Sequence, residues 1–98
     1  MQEPGPHRHE WESEWRALEP LVVDAPGEVL PELDRLLERM LEDQEAPEPE
    51  VLAAFRAARE ITGRVEQGED VDPAEVGQTV GLYRELYQHL LQRAGDAG

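Results

Sequence analysis

Seven apolar residues between Val29 and Leu41 recur at helical spacing, and they constrain this chain more than any other feature. Val29, Leu30, Leu33, Leu36, Leu37, Met40 and Leu41 fall within an arc of roughly 140° when plotted at 100° per residue. A helix over about 26–43 gathers them into one stripe, and the rest of the chain must cover it. Asp24 stands where an N-cap is expected, with Pro26 in the first turn. Pro31 is close enough to the start that the helix could begin there instead.

Three further helices are legible. Over 10–19, Trp11, Trp15 and Leu18 recur at i, i+4 and i+7, which places both indoles on one face. Pro20 is expected to end or kink that helix, leaving Leu21, Val22 and Val23 as a short apolar connector. Gln44 to Glu50, with two prolines and three glutamates, reads as a linker. A third helix covers about 49–67, with a stripe of Val51, Leu52, Phe55, Ala58, Ile61, Thr62 and Val65, and Gly68 as its stop. The fourth runs over about 73–93 and has the most complete start. Asp72 is the N-cap, Pro73 is N1, and Glu75 is placed to reach back to the cap. Val71 and Val76 are spaced as a hydrophobic staple. Val76, Val80, Tyr83, Leu86, Tyr87, Leu90 and Leu91 line one side.

Short connections favour antiparallel neighbours. The expectation is an all-α fold, a small antiparallel three- or four-helix bundle spanning 10–94. Residues 1–9 read as a disordered lead-in and 95–98 as a frayed C-terminus. Ninety-eight residues make one domain with a modest core.

Charge then narrows what such a bundle can do. Asp and Glu number 23 against nine Arg and no Lys, for a formal net charge of −14. That balance repels nucleic acid and anionic lipid and favours encounter with basic proteins. There are no cysteines, so neither disulfides nor a Cys-ligated metal site can form. No apolar run approaches a membrane span, and the polar, acidic N-terminus is unlike a signal peptide, so the expected location is cytoplasmic.

No catalytic, cofactor-binding or metal residues are assigned. Ser13 is the only serine, and no nucleophile–base pattern or glycine-rich phosphate loop occurs. His7, His9 and Glu10 make a weak metal pattern in an expected tail. Glu85 and His89 are four apart rather than the three of a di-iron helix, and have no second copy. The chain is read as a non-enzyme.

The residues that suggest binding are Gly77 and Gly81, then Leu82, Trp11 and Trp15. Two glycines inside a helix cost about 1 kcal/mol each relative to Ala, and small residues four apart let another backbone come close. The neighbour is either a partner helix, a second copy, or the chain's own first or second helix. Leu82 falls opposite Tyr83 and Tyr87 and is expected to be exposed. Trp11 and Trp15 are either core bulk or partner anchors. Arg56, Arg59 and Arg64 are expected to pair with acidic neighbours.

These features favour an acidic adaptor or chaperone-like bundle that binds a protein partner, a basic one by the argument from charge, without direct contact to nucleic acid or membrane. It is expected to be a homodimer or a subunit of a complex. Two alternatives are an acidic inhibitor of a basic nucleic-acid-binding protein, of the immunity, antitoxin or nucleic-acid-mimic kind, and an accessory subunit of a larger complex.

Overall fold

The computed structural model describes residues 6–44 and 46–96, with side chains from 8–44 and 46–93. It is an all-α bundle of four helices: α1 (Pro6–Asp24), α2 (Pro26–Glu42), α3 (Pro49–Glu66) and α4 (Pro73–Asp96). Each helix begins on a proline, where the missing N–H is one that no helical carbonyl would have met.

α1 departs furthest from expectation. It starts at Pro6, inside the expected lead-in, and runs through Pro20 to Asp24. Residues 1–5 of that lead-in, and 97–98 of the expected frayed end, lie outside the described residues. Pro20 leaves the Arg16 carbonyl without its helical donor, but both residues are exposed, so water can serve in its place. Leu21, Val22 and Val23 are therefore helical rather than a connector. Asp24 is the last residue of α1 and does not cap α2. The N-cap is Ala25, which makes no side-chain cap bond. Ala25 alone separates the two helices, with φ −148° and ψ 65° breaking the run. Its carbonyl accepts from the N–H groups of Glu28 and Val29 at 3.0 and 3.1 Å.

α3 ends as its glycine predicts. Gly68 takes φ +82°, the left-handed region where a side chain is penalised. Its N–H donates to the Val65 carbonyl, and the Glu69 N–H donates to the Arg64 carbonyl, both at 3.0 Å. Together these complete a Schellman motif. At the start of α4, the Asp72 carboxylate accepts from the Ala74 N–H at 2.8 Å. The second arm of the expected capping box is replaced by an ion pair, because Glu75 turns to Arg64 at 3.9 Å.

α2 touches every other helix, as does α4, while α1 and α3 share no contact among the described residues. The α2–α4 pair is thus the spine, flanked by α1 and α3. All seven stripe residues of α2 are buried, and they meet Trp11 and Trp15 of α1, Val51, Phe55 and Ala58 of α3, and the Val76–Leu90 stripe of α4 in one cluster. Burying a side chain of this size contributes about 1.5–3 kcal/mol. Ile61, expected in the α3 stripe, is only half-buried. Among the described residues no helix is long and apolar enough to cross a membrane.

Candidate protein-binding surface

The structure distributes the sequence-predicted residues unevenly. Trp11 and Trp15 are buried in the core, not displayed. The Trp15 ring stacks on Tyr87 of α4, centroids 4.3 Å apart and planes 8° from parallel. The indole Nε1 donates to Glu19 at 2.9 Å, and Glu19 lies 3.4 Å from Arg84 of α4. Leu82 is half-buried and packed against the core cluster, which corrects the expectation of an exposed side chain. Its flank is covered because the neighbouring Thr79 and Leu86 are themselves buried.

Gly77 and Gly81 behave differently. A Cβ built on either would meet nothing within 4 Å. Neither glycine is there to admit α1 or α2, so intramolecular close packing does not explain them. The face they share is open.

Sequence reasoning missed a buried polar cluster. Asp34 of α2 is 7% exposed inside the helix that carries the apolar stripe. Arg59 of α3 donates to it through Nη2 at 2.8 Å and Nε at 3.2 Å, and also reaches Glu38. Tyr83 of α4 donates its hydroxyl proton to the second carboxylate oxygen at 2.8 Å. Thr62 Oγ1 lies 2.7 Å from the Tyr83 oxygen and 3.0 Å from the Ala58 carbonyl. Tyr83 has one proton and Asp34 receives it, so the single Thr62 proton is shared between the Tyr83 oxygen and the Ala58 carbonyl. Burial pushes the Tyr83 hydroxyl well above the ordinary tyrosine range, with the Asp34 carboxylate adding to the shift and Thr62 opposing it. The hydrogen bonds from Arg59 to Asp34, then to Glu38, raise the guanidinium further and keep it charged. The same guanidinium sits 4.8 Å over the Phe55 ring. The cluster joins α2, α3 and α4, and Arg59 compensates the buried Asp34 charge. Its sequence signal was faint: Asp34 falls only about 20° outside the apolar arc of α2.

The surface is dominated by unpaired acid. Arg35, Arg39, Arg59, Arg64, Arg84 and Arg93 are all held by carboxylates. Two of the three arginines singled out in α3 therefore pair as expected, and Arg56 has no ion pair among the described residues. Exposed Glu42, Asp43, Glu50, Glu60, Glu66 and Glu85 likewise have no cationic partner among the described residues.

One cleft combines this acidity with apolar surface. It lies between α1 and α2, has a volume of about 510 Å³, and is floored by Ala17, Leu18 and Leu36. Glu14, Glu32, Glu38 and Glu42 stand around it with Arg35 and Arg39. Arg39 spans the cleft wall, with Nη2 at 2.8 Å from both oxygens of Glu14. Among the described residues no three His, Asp or Glu side chains converge to hold a metal ion.

Comparison with known proteins finds no matching family model, no matching curated protein and no matching solved structure.

Proposed function

We propose that this chain is a protein-binding adaptor or chaperone-like bundle of antiparallel helices, which works in the cytoplasm and acts by holding a basic partner. The observation that supports it is the allocation of charge. Six of nine arginines are tied to carboxylates, while acidic side chains on all of α2, α3 and α4 stand in solvent unpaired. A surface of this kind attracts cationic polypeptide and repels phosphate. The adaptor is not assigned chemistry of its own.

Self-association is part of the proposal, and its seat is the Gly77/Gly81 face. The open space over both glycines supports it, because a helix of a second copy could approach there without displacing a side chain.

Two measurements test the reading. The chain is used as bait at low and high salt, and each recovered protein is purified and recombined with it. A basic protein that binds at low salt and is released at high salt is expected; failure of every recombined pair removes the adaptor reading. Light scattering of the wild type and of Gly81→Leu tests self-association. A dimer that becomes a monomer is expected, and a wild-type monomer at all concentrations removes that part.

A further inference from the structure

We propose that the α1–α2 cleft is the seat for an amphipathic, cationic helix of the partner; this rests on the protein-binding reading above and gives it a site. Three observations converge. The floor is apolar: exposed Ala17 and half-buried Leu18 lie over the buried Leu36. Leu21, one of two large hydrophobics exposed among the described residues, lies one turn beyond Ala17 and Leu18 on the same side of α1. It lengthens the apolar strip toward the Ala25 break. Charge then selects the occupant. Four glutamates against two arginines line the cleft, both arginines are already engaged by Glu14 and Glu32, and Glu42 has no cation among the described residues.

A helix laid in the cleft buries its apolar side on Ala17, Leu18 and Leu21 of α1, and presents its own anchors at i, i+3 and i+4 as in helix-in-groove recognition. Its flanking lysines or arginines meet Glu42, which has no cation among the described residues, while Glu32 and Glu38 are already held by Arg35 and Arg59. An acidic helix would bring like charge against Glu42, which disfavours it. Because Ala17 and Leu21 are exposed, the seat can be altered without opening the core.

The test uses a labelled synthetic helix with leucines on one face and lysines on the other, titrated into the full chain at physiological salt. Ala17→Asp combined with Leu21→Asp is expected to weaken binding at least about tenfold, the loss of one well-buried aliphatic contact. The added negative charge would strengthen a purely electrostatic association, so a loss reports the apolar seat. Glu50→Lys with Glu60→Lys, on α3 and outside the cleft lining, is expected to change affinity less than about threefold, because exposed charges that do not touch the peptide are screened by salt. Unchanged binding by the cleft variant, or an equal loss with the α3 variant, overturns the inference. So does a wild-type dimer that the cleft variant dissociates while peptide binding persists, since the occupant is then a second copy. A peptide that fails to bind overturns the cleft alone, and the recombination experiment decides the adaptor reading separately.

Discussion

Tyr83 of α4 donates its hydroxyl proton to Asp34 of α2 across 2.8 Å, and each is buried by the other's helix. Arg59 also serves Asp34, and Thr62 also reaches the Tyr83 oxygen. Turning the tyrosine away would leave one carboxylate oxygen short of its donor, and losing the carboxylate would leave the tyrosine proton without its acceptor. A buried group left without its partner costs about 1–3 kcal/mol. Tyr83→Phe is therefore expected to destabilise the bundle by about 1–2 kcal/mol, since Arg59 still serves Asp34. Asp34→Ala should cost more, about 2–4 kcal/mol, because it removes the acceptor for both donors. In urea melts the double variant should cost less than the sum of the two. Strict additivity would show the bond to be energetically silent.

Alkaline pH provides a second handle on the same hydroxyl. Burial raises Tyr83, and burial followed by the charge of Glu12 raises Tyr87. In the unfolded chain both ionise near the ordinary value of about 10. Above that pH the unfolded state releases protons that the native state retains, so the stability from protonated, buried tyrosine is full below about pH 10 and lost as pH rises. Each such tyrosine contributes a slope of up to about 1.4 kcal/mol per pH unit. Urea melts from pH 8 to 11.5 should be flat and then fall. Tyr83→Phe should remove its part of the fall. A wild-type curve flat throughout would mean that both hydroxyls ionise as freely in the fold as in water.

The contrast between these residues and the stripe shows where the sequence was readable. The α2 stripe was legible because periodicity reports burial directly, and every member of it is in the core. Asp34 was not legible because a charged residue near the edge of an apolar arc looks like a solvated face; only a tyrosine and an arginine from two other helices make it an interior residue. Prolines were readable at helix starts and misleading inside them. Pro26 and Pro73 were placed in first turns, as the structure has them, whereas Pro20 was taken as a stop. Stopping α1 there also denied Leu21 a helical face, so the cleft it extends had no signal. The space over Gly77 and Gly81 depends on which helix packs where, and no local pattern encodes that.

The glycines make opposite predictions from one residue type. Gly68 sits at φ +82° in the α3 stop, so Gly68→Ala forces a Cβ into the left-handed region and should cost about 1–2 kcal/mol. Gly77 and Gly81 lie in regular helix with open space above them. Alanine at either should raise stability by about 0.5–1 kcal/mol, by restricting the unfolded chain and not by any new contact. Thermal melts of the three single variants check this. A loss of stability at Gly81→Ala, measured at a concentration where the wild type is monomeric, would mean that something already occupies that face within one chain.

Pro20 gives a prediction of the same kind with a different cause. Its ring removes the donor that the Arg16 carbonyl would meet and crowds that carbonyl, a defect that costs about 3 kcal/mol in a helix interior. The proline also stiffens the unfolded chain, which returns about 0.4–1 kcal/mol. The site is exposed, so water recovers part of the lost hydrogen bond. Pro20→Ala should therefore stabilise the bundle by about 1–2 kcal/mol and increase protection of the amides over 20–24 against hydrogen exchange. Those residues carry Leu21 and Val23, the two large hydrophobics exposed among the described residues. If the variant instead loses stability, α1 requires the proline to keep Val22 packed against the core.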